Sequence, residues 1–274
     1  MTDAARNTRS VVFDLFGDFI RYEGGAIGLS KLCQLLAPFE VQPDAARATM
    51  TRLRTEGWFS SERSGRTVMY SLTPKGLSML DEGRERIFNR DDAAWDGTWH
   101  LVTYQVPEDR RSVRDVLRKR LAFLGYGALA PATWVSPRDH ADRVTALANE
   151  LTADEPGLHL TQLTARTGSR ESDREMAHRC WQLAELNGQY RDWLADWRPT
   201  FPRVHSGASR GSDALVTRVN LVRSYRRFPF ADPGLPAELL PHPWHGDTAW
   251  SEFIAAYRAL GAESGAWFRT VLDE

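Results

Sequence analysis

The chain has 274 residues, a hydrophobic fraction of 42 %, ten Trp and a formal net charge of −1. That length exceeds one ordinary small domain and supplies apolar material for two or three cores. It holds no apolar run of about 18 residues, and Met1 to Arg6 lacks the apolar core of a signal peptide, so the reading is a cytoplasmic protein without membrane span.

The first block runs to Asn89. Ser10 to Ile20 carries Val11, Val12, Leu15, Phe16 and Phe19 at helical spacing, and Gly24-Gly25 stops that helix. A second helix covers Leu29 to Leu36 and is closed by Pro38. A third starts after Val41-Gln42, with Pro43 and Asp44 suited to its first turn. Ala46, Met50 and Leu53 form its apolar stripe, whereas Arg47, Thr51 and Arg54 share the stripe beside it, and Gly57 ends it. Trp58 to Arg63 and Thr67 to Leu72 then predict a hairpin with Ser64-Gly65 at the turn. Thr73-Pro74 opens a fourth helix towards Phe88.

Two helices, an arginine-bearing third and a basic hairpin are the parts of a winged helix, and predict a DNA-binding domain over residues 1–89. Arg47, Thr51 and Arg54 are its groove-facing candidates, Arg63 and Arg66 its wing, and Lys31 and Arg52 its phosphate contacts. The electrostatic footprint is small. Residues 1–90 hold 13 Lys and Arg against 11 Asp and Glu, a net of +2. Of the 35 basic residues only Lys31, Lys75 and Lys119 are lysines, and arginine forks onto phosphates and guanine edges.

The second block, residues 95–167, begins with a strand from Trp99 to Val106. An amphipathic helix follows from Arg111 to Leu124, with Val113, Val116, Leu117, Leu121 and Leu124 on one side. Gly127 to Leu129 and Thr133 to Ser136 read as strands, Asp139 to Leu151 as a helix and Leu158 to Thr164 as a last strand. That order, β-α-β-β-α-β, predicts a ferredoxin-like domain. Residues 172–274 read as helical: Met176 to Trp197, Asp213 to Phe228, Thr248 to Leu260 and Ser264 to Leu272. The fold class is α+β with several domains. Cys33 and Cys180 lie in helical patterns and read as buried free thiols.

Three further features invite chemistry. Gly207-Ala208-Ser209-Arg210-Gly211 fits the G-x-S-x-G expression of a hydrolase nucleophile, with acids and His242 or His245 following in order. The segment before it, Phe201-Pro202-Arg203-Val204-His205, is not the buried strand an elbow requires, so a loop is expected. His242-Pro243-Trp244-His245 lacks a second ligand cluster and reads as a turn, and no metal or cofactor is expected. Arg218, Arg223, Arg226 and Arg227 cluster beside Tyr225 and Phe228, a composition that suits either an acidic aromatic ligand or acids on neighbouring helices.

Several segments together resemble the PaaX family of transcriptional regulators. They are Leu15 to Asp18, Arg47 to Leu53 with Glu56-Gly57-Trp58, Trp95 to Trp99, Gly127 to Pro131, Tyr225 to Phe228 and Asp232 to Pro241. The resemblance spans nearly the whole chain in order. It implies a GntR-like winged helix, a Cas2-like central domain and a helical C-terminal domain. It also implies a homodimeric repressor of phenylacetate catabolic genes, released from double-stranded operator DNA by phenylacetyl-CoA or a related aryl-CoA. Arg47 and Arg52 match the family's DNA-helix positions. Two other readings compete: a serine hydrolase acting at Ser209, and a Cas2-like nucleic-acid processor. The latter needs a metal-binding acid at the end of the first central strand, where this chain has Tyr104 and Gln105.

Overall fold

The computed structural model describes residues 3–65, 67–90, 94–154 and 158–273. The first segment contains α1 (Asp3–Asp18), β1 (Ala26–Gly28), α2 (Leu29–Leu36), α3 (Pro43–Thr55), β2 (Phe59–Ser64), β3 (Thr67–Leu72) and α4 (Pro74–Phe88). Next come β4 (Trp99–Gln105), α5 (Arg111–Phe123), β5 (Gly127–Ala130), β6 (Thr133–Ser136), α6 (Ala141–Asp154) and β7 (His159–Ala165). The helical remainder is α7 (Arg170–Cys180), α8 (Leu183–Trp197), α9 (Phe201–His205), α10 (Gly211–Tyr225), α11 (Phe228–Ala231), α12 (Gly246–Ala259) and α13 (Gly261–Asp273).

The chain forms two compact units. One comprises Met1–Asn89, Asp192–Arg227 and Asp247–Glu274; the other comprises Arg90–Arg191 and Phe228–Gly246. The C-terminal helices are therefore shared out, and α10 and α13 belong with the N-terminal segment.

In the first unit, Val11, Val12, Leu15 and Phe16 of α1 are fully buried, as their helical spacing requires. They share a core with Leu32, Leu35, Met50 and Leu53, and also with Leu215 and Val219 of α10 and Phe268 and Val271 of α13. Phe19 stacks on Phe268 at 5.2 Å between ring centroids. The expected hairpin forms with Arg63 opposite Val68, but Ser64, expected at the turn, instead ends β2 opposite Thr67. A third strand, β1, was not expected from the sequence and pairs antiparallel with β3, giving the order β1-β3-β2. Three residues behind a Gly-Gly turn are too short to show an alternating pattern. At the base of the hairpin Thr73 caps α4 by accepting from the Gly76 amide at 3.2 Å. A Cβ on Gly76 would lie 2.5 Å from the Trp58 carbonyl oxygen, so only glycine lets α4 start this close to β2.

The second unit contains the β-α-β-β-α-β order expected from the sequence, with an antiparallel sheet ordered β5-β6-β4-β7. This is the ferredoxin-like arrangement, with the first and third strands in the centre. Val102 and Tyr104 pack with Val113, Leu117 and Leu121 of α5 and Val144 and Leu147 of α6. Trp99 and Val135 on the other face pack with Ala177, Leu183, Leu235 and Leu239. The indole of Trp99 donates to buried Asp173 at 2.7 Å, which supplies the partner that its N–H needs.

Four expectations need correcting. Val116 does not join the α5 core; it is 45 % exposed, because the buried stripe runs Val113, Leu117, Leu121. The expected helix Met176 to Trp197 is two helices, broken where Trp181 turns extended (φ −134, ψ 146) and packs over Gly127. Phe201 to His205, read as a Pro-interrupted polar segment, forms α9, and the helix expected from Asp213 to Phe228 is α10, which ends at Tyr225. Cys33 and Cys180 are free but only partly buried, and burial pushes the Cys180 thiol up to about 11.

Candidate nucleic-acid interface

α3 places its side chains as the sequence pattern requires. Ala46, Thr49, Met50 and Leu53 are buried, and Arg47, Thr51, Arg52 and Arg54 are exposed. Arg47 reaches Asp44 one turn back at 3.0 Å, with both side chains largely in solvent. Such a pair contributes well under about 1 kcal/mol, so the guanidinium is readily redirected to a stronger anion. The Thr51 hydroxyl donates to the Arg47 carbonyl at 3.0 Å. Arg54 donates to the Ser61 hydroxyl at 3.3 Å, which ties the exposed face of α3 to the hairpin. At the hairpin tip Arg63 is exposed and its Nε donates to the Gly65 carbonyl at 3.2 Å. Arg66 lies outside the described residues.

The end of α3 is braced by residues to which the sequence assigned no contact. Glu56 is held by Arg9 and by the Trp58 indole at 3.1 Å, and the hydrogen bond from Arg9 is the first cause of its lowered pKa. Lys75 donates to the Glu56 carbonyl at 3.2 Å and lies 4.0 Å over the Trp58 ring. Arg9 and Lys75 thus add two cations beside the C-terminus of α3, where the helix dipole is negative. Lys31 lies elsewhere: its ammonium donates to the carbonyls of Val271 at 3.0 Å and Leu272 at 2.6 Å, capping the last turn of α13.

The arginines of α10 are engaged with α1. Arg218 is 8 % exposed; its Nε donates to Asp18 at 2.6 Å and its Nη1 to the Tyr257 carbonyl at 2.7 Å. Arg226 binds Asp14 and Ser10, and Arg223 binds Asn7 and lies 3.7 Å from Asp14. Tyr225 is buried and stacks on Phe253 at 4.1 Å, and Arg227 is exposed. Phe228 belongs to the other unit, where it stacks on Tyr190 at 4.0 Å. The arrangement therefore brings Arg223 and Arg226 together on Asp14, with Arg218 on Asp18 one turn further along α1.

Burial pushes the Asp14 carboxyl from 3.8 up to about 6, against the opposing pull of Arg226 and Arg223. A carboxyl with a raised folded-state pKa binds its proton more tightly when folded. Its contribution to stability is present below about pH 4 and is lost as pH rises through about 6. Wild-type protein is thus expected to gain stability relative to Asp14→Asn as pH falls from about 7 to 5. Parallel stability–pH curves in urea titrations would contradict the assignment.

Three family models match the chain: PaaX-like protein over residues 7–76, the PaaX protein central Cas2-like domain over residues 92–177, and the PaaX-like protein C-terminal domain over residues 181–270. The transcriptional repressor PaaX of Escherichia coli (strain K12) is 32 % identical over 253 residues, which is 92 % of this chain and 79 % of the relative. The chain belongs to the PaaX family. A solved structure, the uncharacterized protein Rv0674 from Mycobacterium tuberculosis, shares the fold with a TM-score of 0.65. It is 23 % identical, and the match covers 97 % of this chain and 98 % of that one.

Membership of this family of regulators answers the hydrolase alternative, and the geometry around Ser209 agrees. Ser209 follows the helix α9 and is 2 % exposed, whereas a nucleophile elbow presents its hydroxyl from a strand-to-helix turn. The Cas2-like model falls on β4 to β7, and β4 ends in Tyr104-Gln105. Among the described residues no helix is long and apolar enough to cross a membrane.

Proposed function

We propose that this PaaX-family chain is a cytoplasmic, DNA-binding transcriptional repressor whose residues 1–89 are a winged helix of the GntR-like type. The observation that carries this reading is the exposed row Arg47, Thr51, Arg52 and Arg54 over a buried stripe, flanked by a hairpin tipped with Arg63. In such a module α3 enters the major groove and the wing follows the phosphates. A homodimer would place two copies of α3 on half-sites about 34–36 Å apart, or a multiple of that.

The repressor activity of the Escherichia coli relative supports binding to an operator; we further propose aromatic, phenylacetate-like catabolic genes as the targets and an aryl-acyl-CoA such as phenylacetyl-CoA as the releasing effector. We assign the effector contacts to Arg218, Arg223, Tyr225, Arg226 and Arg227 of the first unit. An anionic effector that reaches Arg223 or Arg226 competes with Asp14 for them, which couples ligand binding to α1. A coupling of about 1–3 kcal/mol lowers operator affinity roughly 5- to 150-fold.

The test is a gel shift with duplex DNA from the protein's own upstream region, with mixed-sequence duplex as competitor. Retention against excess competitor, and release on titration with phenylacetyl-CoA, are expected. No selective retention would refute the repressor reading; release by none of a series of aryl-CoA thioesters would refute the effector.

A further inference from the structure

We propose that the outer face of α5, in the central domain, is a second and sequence-independent contact to the phosphates of duplex DNA. This inference rests on the repressor reading above, because it supplies an electrostatic contribution that the N-terminal segment lacks. That segment has a net charge of only +2 over residues 1–90. Affinity for duplex DNA comes largely from neutralised phosphates, and a footprint that small gives little.

The densest basic run of the chain lies in α5 and its N-cap. Arg110, Arg111, Arg114, Arg118, Lys119 and Arg120 stand against the single acid Asp115. Three of the six are neutralised: Arg110 by Asp109 at 3.8 Å, Arg114 by Glu108 at 3.2 Å and Arg120 by Glu150 at 2.7 Å. Arg111, Arg118 and Lys119 are exposed and have no ion pair among the described residues. At 100° per residue Arg111 and Arg118 stand one above the other, about 10 Å apart along the axis, with Lys119 beside them. They point away from the buried stripe Val113, Leu117 and Leu121.

Stability alone does not explain this arrangement. Anions are favoured in the first turn of a helix, yet α5 has no acid there and its N-cap is Arg110 without a side-chain cap. Arg111 stands against the helix dipole, and Arg111, Arg118 and Lys119 have no acid partner among the described residues, which leaves three cations to meet a polyanion. Duplex DNA, with one charge about every 1.7 Å of axis, offers a continuous row of partners to such a ridge.

The test compares the full-length protein with R111Q/R118Q/K119Q on its upstream duplex and on a mixed-sequence duplex several helical turns long. Each lost phosphate contact lowers the slope of log affinity against log salt by about 0.9, so the triple variant should lose about 2–3 from the slope. It should also bind both duplexes roughly tenfold or more weakly at low salt, with the preference between them unchanged. The thermal melt should not move, because all three side chains are in solvent. An unchanged slope with normal wild-type binding overturns this inference alone. A change in sedimentation mass, or in release by phenylacetyl-CoA, with DNA binding intact would mark the face as a protein or ligand surface instead and equally overturn it. Failure of the wild-type protein to bind either duplex overturns the repressor reading as well.

Discussion

Arg218→Ala is expected to cost the first unit about 3–5 kcal/mol, because it strands a carboxylate that is nearly buried. The side chains of Arg218 and Asp18 are 10 % and 14 % exposed. The guanidinium grips both Asp18 oxygens, at 2.6 and 3.2 Å, and lies 3.7 Å over the Tyr257 ring. Without it Asp18 keeps the Tyr257 hydroxyl as a donor and little else. Urea unfolding should show a lower midpoint at unchanged slope. Arg218→Met combined with Asp18→Leu should recover much of the loss, since a matched apolar pair carries no desolvation cost. A midpoint equal to wild type for Arg218→Ala would show that the pair contributes nothing to the fold.

Arg47→Ala with Arg54→Ala is expected to produce the largest loss of operator binding. Each arginine–base contact discriminates by about 1–3 kcal/mol, so the double variant should bind roughly 30-fold more weakly or worse. Both side chains are exposed, and the partners they give up, Asp44 and Ser61, are solvated, so the fold should persist. Arg63→Ala should act differently: a wing residue on phosphate weakens all sequences alike and lowers the salt slope by about 1. Fluorescence anisotropy at fixed moderate salt distinguishes the two. Wild-type affinity in the double variant would remove α3 from the groove.

Much of the scaffold was legible in the sequence because it is local. Ala46, Met50 and Leu53 announce the buried side of α3 by spacing alone, and the strand–helix order of residues 99–165 follows from runs bounded by Pro107, Gly125 and Gly127. What escaped was set by partners far along the chain. The sequence offers Lys31 as a phosphate contact; the carbonyls it meets in the fold lie 240 and 241 residues away and leave no local signal. Arg218 and Arg226 were legible as a basic cluster, but their acids, Asp18 and Asp14, stand 200 and 212 positions earlier. Trp181 breaks a helix that its own neighbours would support, because Gly127 in another element leaves room for its ring. Exposed arginines were easier to find than their braces, since solvent-facing residues reveal themselves by period while their partners do not.

The sharing of the first unit's core has a consequence for synthesis. The ribosome makes α1 to α4 early, yet Val11, Leu15 and Phe16 share a core with Leu215, Val219, Phe268 and Val271. At about 5–20 residues per second, roughly 10–40 s separate Asn89 from Val271, and during that interval the apolar side of the N-terminal segment lacks its cover. Contacts of such long range also slow the final condensation. The N-terminal segment is therefore finished last, when α13 docks and Lys31 closes over its end.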